Sequence, residues 1–243
     1  LAIFLNNLVH IGGVPSLDND PANKTVLAIR NDVNNTKLIV KGAHLTEVGV
    51  GYGRELEEWA PGVFLGGAAK LIQAKVGYSD YAVLRNDVNN GDIVKTLKNS
   101  SKQSNSFGVD LGSLWDVERT FPDAWWQPRV ALVGRNLNNP TFEQPATAKA
   151  AGINGKFAAN PTVRAGFSIQ PKNWWTISSD VDLTKNQTQV DGVYSRQLGL
   201  GSEFNVFNRS WINIPIRAGI ARNVSGRNAA TTFHGGAGLN FLH

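Results

Sequence analysis

Four histidines, His10, His44, His234 and His243, are the first candidates for chemistry, and none has a second ligand at metal-binding spacing. There is no cysteine, which removes thiolate metal sites, cysteine nucleophiles and disulfides together. Ser195, Asp180 and His234 carry the groups of a hydrolytic triad, but they fall on separate segments. No GxSxG turn, phosphate-cradling loop or dinucleotide fingerprint is present, and "GGAAK" at 66–70 reads as strand. The expectation is a protein that is not an enzyme and that holds no cofactor and no metal.

What recurs in a pattern is charge. Glu47, Asp110, Arg129, Arg135, Arg164, Asp180, Asp182, Glu203 and Arg217 each sit in a segment where polar and apolar residues alternate. Their chemistry is electrostatic. Asp180 and Asp182 can attract cations, latch onto arginines, or simply keep one side wet. The four arginines can form an anion-selective constriction or pair with carboxylates and seal a lumen.

The elements that carry these charges are strands. In "WWTISSDVDLTKN" (174–186), Trp175, Ile177, Ser179, Val181 and Leu183 alternate with Thr176, Ser178, Asp180, Asp182 and Thr184. Side chains alternate faces along a strand, so one face is oily and the other acidic. "SFGVDLGSLW" sets Phe107, Val109, Leu111 and Trp115 against Gly108, Asp110 and Gly112. "YSRQLGLGSEFNVF" sets Leu198, Leu200, Phe204 and Val206 against Gly199, Gly201 and Glu203, and "WINIPIRAGIARN" sets Ile212, Ile214, Ile216 and Ile220 against Asn213, Arg217 and Gly219. Less regular candidates lie at 1–10, 24–31, 36–43, 62–78 and 126–138. Helix signals are scarce: "GRELEEWAPG" (53–62) allows one turn or two before Pro61, and Ala148–Ala151 favour a short helix in a loop.

Three features favour a transmembrane antiparallel β-barrel over a soluble sandwich. The polar face is rich in glycine, which lets a sheet curve. It carries charges of both signs at mid-strand, while the apolar face of the clearest strands carries none. Aromatic residues gather at strand ends, with Trp115, Trp126, Trp174, Trp175, Trp211 and Phe241 the candidate interfacial girdle. Strands can cross lipid only in a closed barrel, because an open edge leaves backbone groups unpaired. The pattern predicts about twelve strands, fourteen in a full protein, in one domain over 1–243, with 1–35 as an N-terminal plug or extra strands.

Composition agrees. At 243 residues, 42% hydrophobic and 18% charged, the chain is neither disordered nor a coiled coil. The formal charge is +5 and the pI about 9.5. Its lysines and arginines are scattered, which argues against nucleic acid as a partner. No apolar run reaches the ~18–20 residues of a membrane helix. The chain has no methionine and reads as a mature or trimmed product. "IRNDVNN" at 29–35 recurs as "LRNDVNN" at 84–90, and both read as Asn/Asp turns.

"LTEVGVGYGRE", "SFGVDLGSLW", "QPRVALVGRNLNNPTFEQP", "PTVRAGFSIQPKNWWTISSDVDLTKN" and "LGLGSEFNVFNRSWINIPIRAGIARN" resemble the plasmid-transfer TraF-type outer-membrane barrel family. This is not the thioredoxin-like TraF of conjugation. The resemblance covers most of 36–241, and the first 35 residues match it poorly. It implies kinship with fatty-acid-transporter-like barrels and a place in the outer membrane of a Gram-negative bacterium, in contact with membrane lipid and lipopolysaccharide. The expected function is a channel or uptake porin for small solutes, hydrophobic ones among them. The alternatives are a non-conducting barrel that anchors an envelope or conjugation-related protein partner, and a soluble β-sandwich binding module.

Overall fold

The computed structural model describes residues 1–16, 37–82, 95, 97, 99–187, 194–209, 212–226 and 231–241. The main strands are β1 (Ala2–Ser16), β2 (Lys37–Glu55), β3 (Val63–Ala82), β4 (Lys102–Asp116) and β5 (Arg129–Arg135). After the short pairs β6 (Thr141–Phe142) and β7 (Phe157–Ala158) come β8 (Thr162–Lys172) and β9 (Trp175–Asp182). A second short pair, β10 (Asn186–Gln187) and β11 (Tyr194–Ser195), precedes β12 (Gln197–Arg209), β13 (Ile212–Asn223), β14 (Thr231–Ala237) and β15 (Asn240–Phe241). Two helical turns are described, α1 (Val117–Thr120) and α2 (Ala146–Ala150).

One antiparallel sheet dominates, in the order β1-β2-β3-β4-β5-β8-β9-β12-β13-β14, with β15 also on β13. It is an up-and-down meander. The two skips in numbering are the ribbons β6–β7 and β10–β11, which form inside connections. Among the described residues ten strands line the main path, against about twelve expected in all, in part because 36–43 and the segment after it are one strand. Gly42 and Ala43 stay extended and paired on both sides. Among the described residues no pairing joins β1 to β14, so the sheet has two edges. Candidate strand 24–31 and both Asn/Asp-rich repeats lie outside the described residues. Of residues 1–35, expected as an N-terminal plug or extra strands, Ala2–Ser16 form β1, and 17–35 lie outside the described residues.

The two faces of the sheet exchange character along the strands. On one face of β3, Leu65 and Leu71 are open to the surroundings, and beyond them Gln73 and Lys75 take their place. On the opposite face Gly66, Ala68 and Lys70 give way to Ile72, Ala74, Val76 and Tyr78, all four of them buried. Strand β2 turns over at the same level. Val48, Val50 and Tyr52 are exposed on the open face, followed by Thr46 and His44, while Leu45 and Ala43 are buried on the covered face. β2 and β3 therefore each have an oily open face in one half and an oily covered face in the other, while the neighbouring β1 keeps Val9 and Ile11 exposed on the open face. The exposed apolar band continues through Phe107, Leu111, Val130, Phe167, Leu198, Leu200, Ile216 and Ile220. A sandwich would bury Leu200 and Ile216 in a dry core, yet they are 54% and 46% exposed.

The buried interior is capped by residues 136–161. Asn136 and Asn139 adopt left-handed conformations, which asparagine tolerates better than most residues, and the chain leaves β5 to run beside the bare edge of β4. Leu137 N–H donates to the Val109 carbonyl at 2.9 Å. The Asn138 side chain accepts from Val109 N–H at 2.9 Å and donates to the Phe107 carbonyl at 2.7 Å. Phe142, 1% exposed, enters the cluster of Ala43, Leu45, Ile72, Ala74 and Val76, with Phe157 packed behind it at 6.1 Å between ring centroids. Thr147 Oγ1 pins α2 to the Tyr78 carbonyl at 3.0 Å. The short helix expected at Ala148–Ala151 is present one to two residues earlier.

Phe142→Ala removes the ring that fills this cluster, at a cost of about 3–5 kcal/mol. Trypsin should then cut at Lys149 and Lys156 much faster than in the wild type, with strands β2–β4 still protected. An unchanged cleavage rate would show that the segment is held by its hydrogen bonds and not by Phe142.

Candidate functional site

A layer of charge lies where the faces exchange. Lys70 is fully buried on β3, and its neighbours explain how that is sustained. Nζ sits 2.9 Å from Asp110 Oδ2 on β4 and 3.3 Å from Glu47 Oε1 on β2. Glu47, 1% exposed, also meets Arg135 Nη2 at 3.1 Å and Asn6 Nδ2 of β1 at 3.5 Å. Asp110 accepts a second bond from Asn136 N–H at 2.8 Å, the first residue of the inward segment. Two cations and two anions balance, and almost every oxygen has a donor. That is the condition under which buried charge is tolerated. Gly108 makes the space: a Cβ there would lie 2.8 Å from Lys70 Cε and 2.9 Å from Ile72 Cδ1.

The remaining charges pair nearby. Arg164 Nε is 2.7 Å from Asp182 Oδ1, and its Nη1 is 3.2 Å from Asp180 Oδ1. Asp182 also accepts from Gln197 N–H at 2.9 Å. Arg217 bonds Glu203 across β12–β13. Arg129 Nε is 3.1 Å from Asp116 Oδ2. All nine charged candidates read from the sequence therefore engage in ion pairs, the four arginines each with a carboxylate. Reading the sequence missed Lys70, although it is the centre of the best buried group. It also missed Asp116, which receives Arg129. Ser195, Asp180 and His234 lie on β11, β9 and β14. Asp180 is engaged by Arg164 and Ser195 accepts from Gln197 Nε2 at 3.3 Å, so the triad is not assembled.

The aromatic candidates gather at one end of the sheet. Register places Trp115 beside Val63 and Val130, and Trp175 beside Phe204 and Lys172. Trp174, Trp175 and Phe204 stack, the last two at 5.9 Å and 8°. A register shift in β12 at Asn205/Phe207 and another between β8 and β9 at Ile169/Lys172 accompany this stack, as bulges do when they re-aim side chains. Trp126 stacks on Trp125 at 5.2 Å, and Trp59 stands 90% exposed in the turn between β2 and β3. Trp211 lies outside the described residues. Phe241 pairs through its backbone with Ile212 at the same end.

A family model described as the F plasmid transfer operon TraF protein matches residues 1–182. The match includes the first 35 residues, which the sequence reading had set apart, and stops at 182 where that reading continued to 241. No curated protein and no solved structure matches the chain.

Lys70→Met leaves two carboxylates facing one guanidinium in a buried layer, which should cost about 3–5 kcal/mol. The denaturant midpoint should fall accordingly. Lys70→Met combined with Asp110→Asn restores charge balance and keeps an acceptor for Asn136 N–H, so the double variant should be more stable than the single one. A double variant less stable than Lys70→Met would mean that charge balance is not what holds the layer.

Proposed function

The chain belongs to the TraF family of the F plasmid transfer operon, and we propose that it is an outer-membrane β-barrel of the fatty-acid-transporter-like kind, closed at rest by residues 136–161. The carrying observation is the exchange of faces. A sheet with an oily exterior and charged interior in one half suits lipid outside and water inside. The other half, where β2 and β3 are polar on the open face and oily under the cap, suits water outside. From Phe107 to Trp115 the exposed band of β4 spans nine residues, close to the ~9–11 of a tilted membrane strand. In lipid the edges β1 and β14 meet each other or are bridged by further strands, since unpaired backbone is excluded there.

Connections at the tryptophan end include the short turns 56–62 and 173–174, while 17–36, 83–101 and 136–161 leave from the other end. Short turns belong to the periplasmic side of such barrels and long loops to the outside. The capped half then projects from the cell. The barrel is an uptake route for small solutes, gated by movement of 136–161 off Ile72 and Val76. A second reading, a non-conducting anchor for a transfer-related envelope assembly, is favoured by the plasmid-transfer description of the family.

Leu200→Arg puts a charge into the apolar band at a cost of about 2–4 kcal/mol, and assisted insertion into liposomes should drop sharply. Gly199→Ser should insert like the wild type, because its Cβ meets the tip of the half-exposed Asp180 side chain, which can rotate away. Equal insertion of both would sink the facing assignment.

Pro140 and Ala159 are joined by a 2.9 Å backbone hydrogen bond, so excising 141–158 and bridging with two glycines leaves the frame intact. In planar bilayers the excised protein should conduct several-fold more than the wild type. Silence from both favours the anchor. Equal conductance of both means the segment does not close the bore.

A further inference from the structure

On the covered face, Arg129, Arg135, Arg164 and Arg217 all meet carboxylates. On the open face at the long-loop end, Arg196 and Arg222 meet none among the described residues. Both are exposed. Arg222 lies opposite Leu198, and Val224 N–H bonds the Arg196 carbonyl at 2.8 Å, so the two arginines are diagonal neighbours within reach of one ligand. Arg196 Nε is steadied by the Asp182 carbonyl at 2.9 Å, and its outer nitrogens meet no carboxylate among the described residues. Lys185 joins from the bend between β9 and β10, its ammonium 4.3 Å from the Tyr194 ring centroid. Asp191, a carboxylate in the adjoining connection, lies outside the described residues. Leu183 is level with Arg196, and directly below on the same face come Leu198 and Ile220, which belong to the exposed apolar band.

Two guanidiniums on one face repel each other unless an anion lies between them, and guanidinium is shaped to bind phosphate in two-point fashion. Building on the barrel reading above, we propose that Arg196 and Arg222, with Lys185, form a site for the phosphate groups of the outer-leaflet glycolipid, lipopolysaccharide. Its acyl chains run down over Leu198 and Ile220. The position fixes the choice of ligand: cations stand where the apolar band ends, at the depth of a phosphorylated head group, and on the side that the long loops place outside.

The test uses the full chain purified in detergent and measures the rise in unfolding temperature as lipopolysaccharide is added. Wild type should respond saturably. The same glycolipid stripped of phosphate, and inorganic phosphate at matched concentration, should not reproduce the response. Arg196→Gln with Arg222→Gln should weaken it at least ten-fold, while Arg54→Gln, an exposed arginine at the tryptophan end, should leave it unchanged. Equal responses from the double variant, or from stripped glycolipid, overturn the site. A stronger response to phosphatidylglycerol than to lipopolysaccharide overturns the choice of leaflet. Flotation with phosphatidylcholine vesicles separates the two levels of argument. Protein that floats but ignores phosphate defeats this inference alone, and protein that never floats defeats the barrel reading with it.

Discussion

The buried ammonium of Lys70 sets the terms for much of this molecule. An unpaired charge at that depth would be prohibitively costly, so β2 and β4 must bring Glu47 and Asp110 to it in fixed register. Glu47 then requires Arg135, and Asp110 requires the N–H of Asn136. One charge thus ties together three strands, the end of a fourth and the start of the inward segment. Such a layer adds less to stability than an apolar one would, since desolvation offsets much of the attraction. What it supplies is register, because a slip of one residue would turn every one of these groups to the wrong face.

The layer also marks a change of surroundings. Below it the covered face is polar and small and the open face is Leu, Val and Phe. Above it Ile72, Ala74 and Val76 are interior, and Gln73 and Lys75 are exterior. Backbone geometry is continuous across the boundary, so the side chains alone declare the change. Phe142 and the rest of 136–161 are the consequence: an oily face is kept from water by an apolar cover, and the chain draws it from the connection after β5.

The two rims differ in chemistry. Stacked tryptophans, bulges and short turns occupy one end. The other has long connections, and on its open face Arg196 and Arg222 meet no carboxylate among the described residues. Indole combines an apolar body with one N–H donor, and here Trp115 and Trp175 spend theirs on Thr120 and Ser202, which fixes the rings at the edge of the apolar band.

Period-two alternation is local, so the strands and most of their facings were legible in the sequence. Phe107, Leu111, Leu200 and Ile216 are exposed on the face assigned to them, opposite Asp110, Glu203 and Arg217. The charged residues were recognisable for the same reason. Their partners were not, because Glu47 finds Arg135 across 88 positions and pairing is settled by register. Lys70 was passed over because "AAKLIQAKV" keeps its alternation while its polarity turns over, which looks like weak amphipathicity until the neighbouring strands are present. The covering role of 136–161 was not legible, since nothing periodic in "NPTFEQPATAKAAGI" predicts that Phe142 will meet Ile72. The sequence by itself determined which residues are strand and which way each points, through the fixed two-residue repeat of extended backbone. Tertiary structure alone decided which charges meet, where the sheet changes sides and what covers it, because those depend on contacts between residues far apart in the chain.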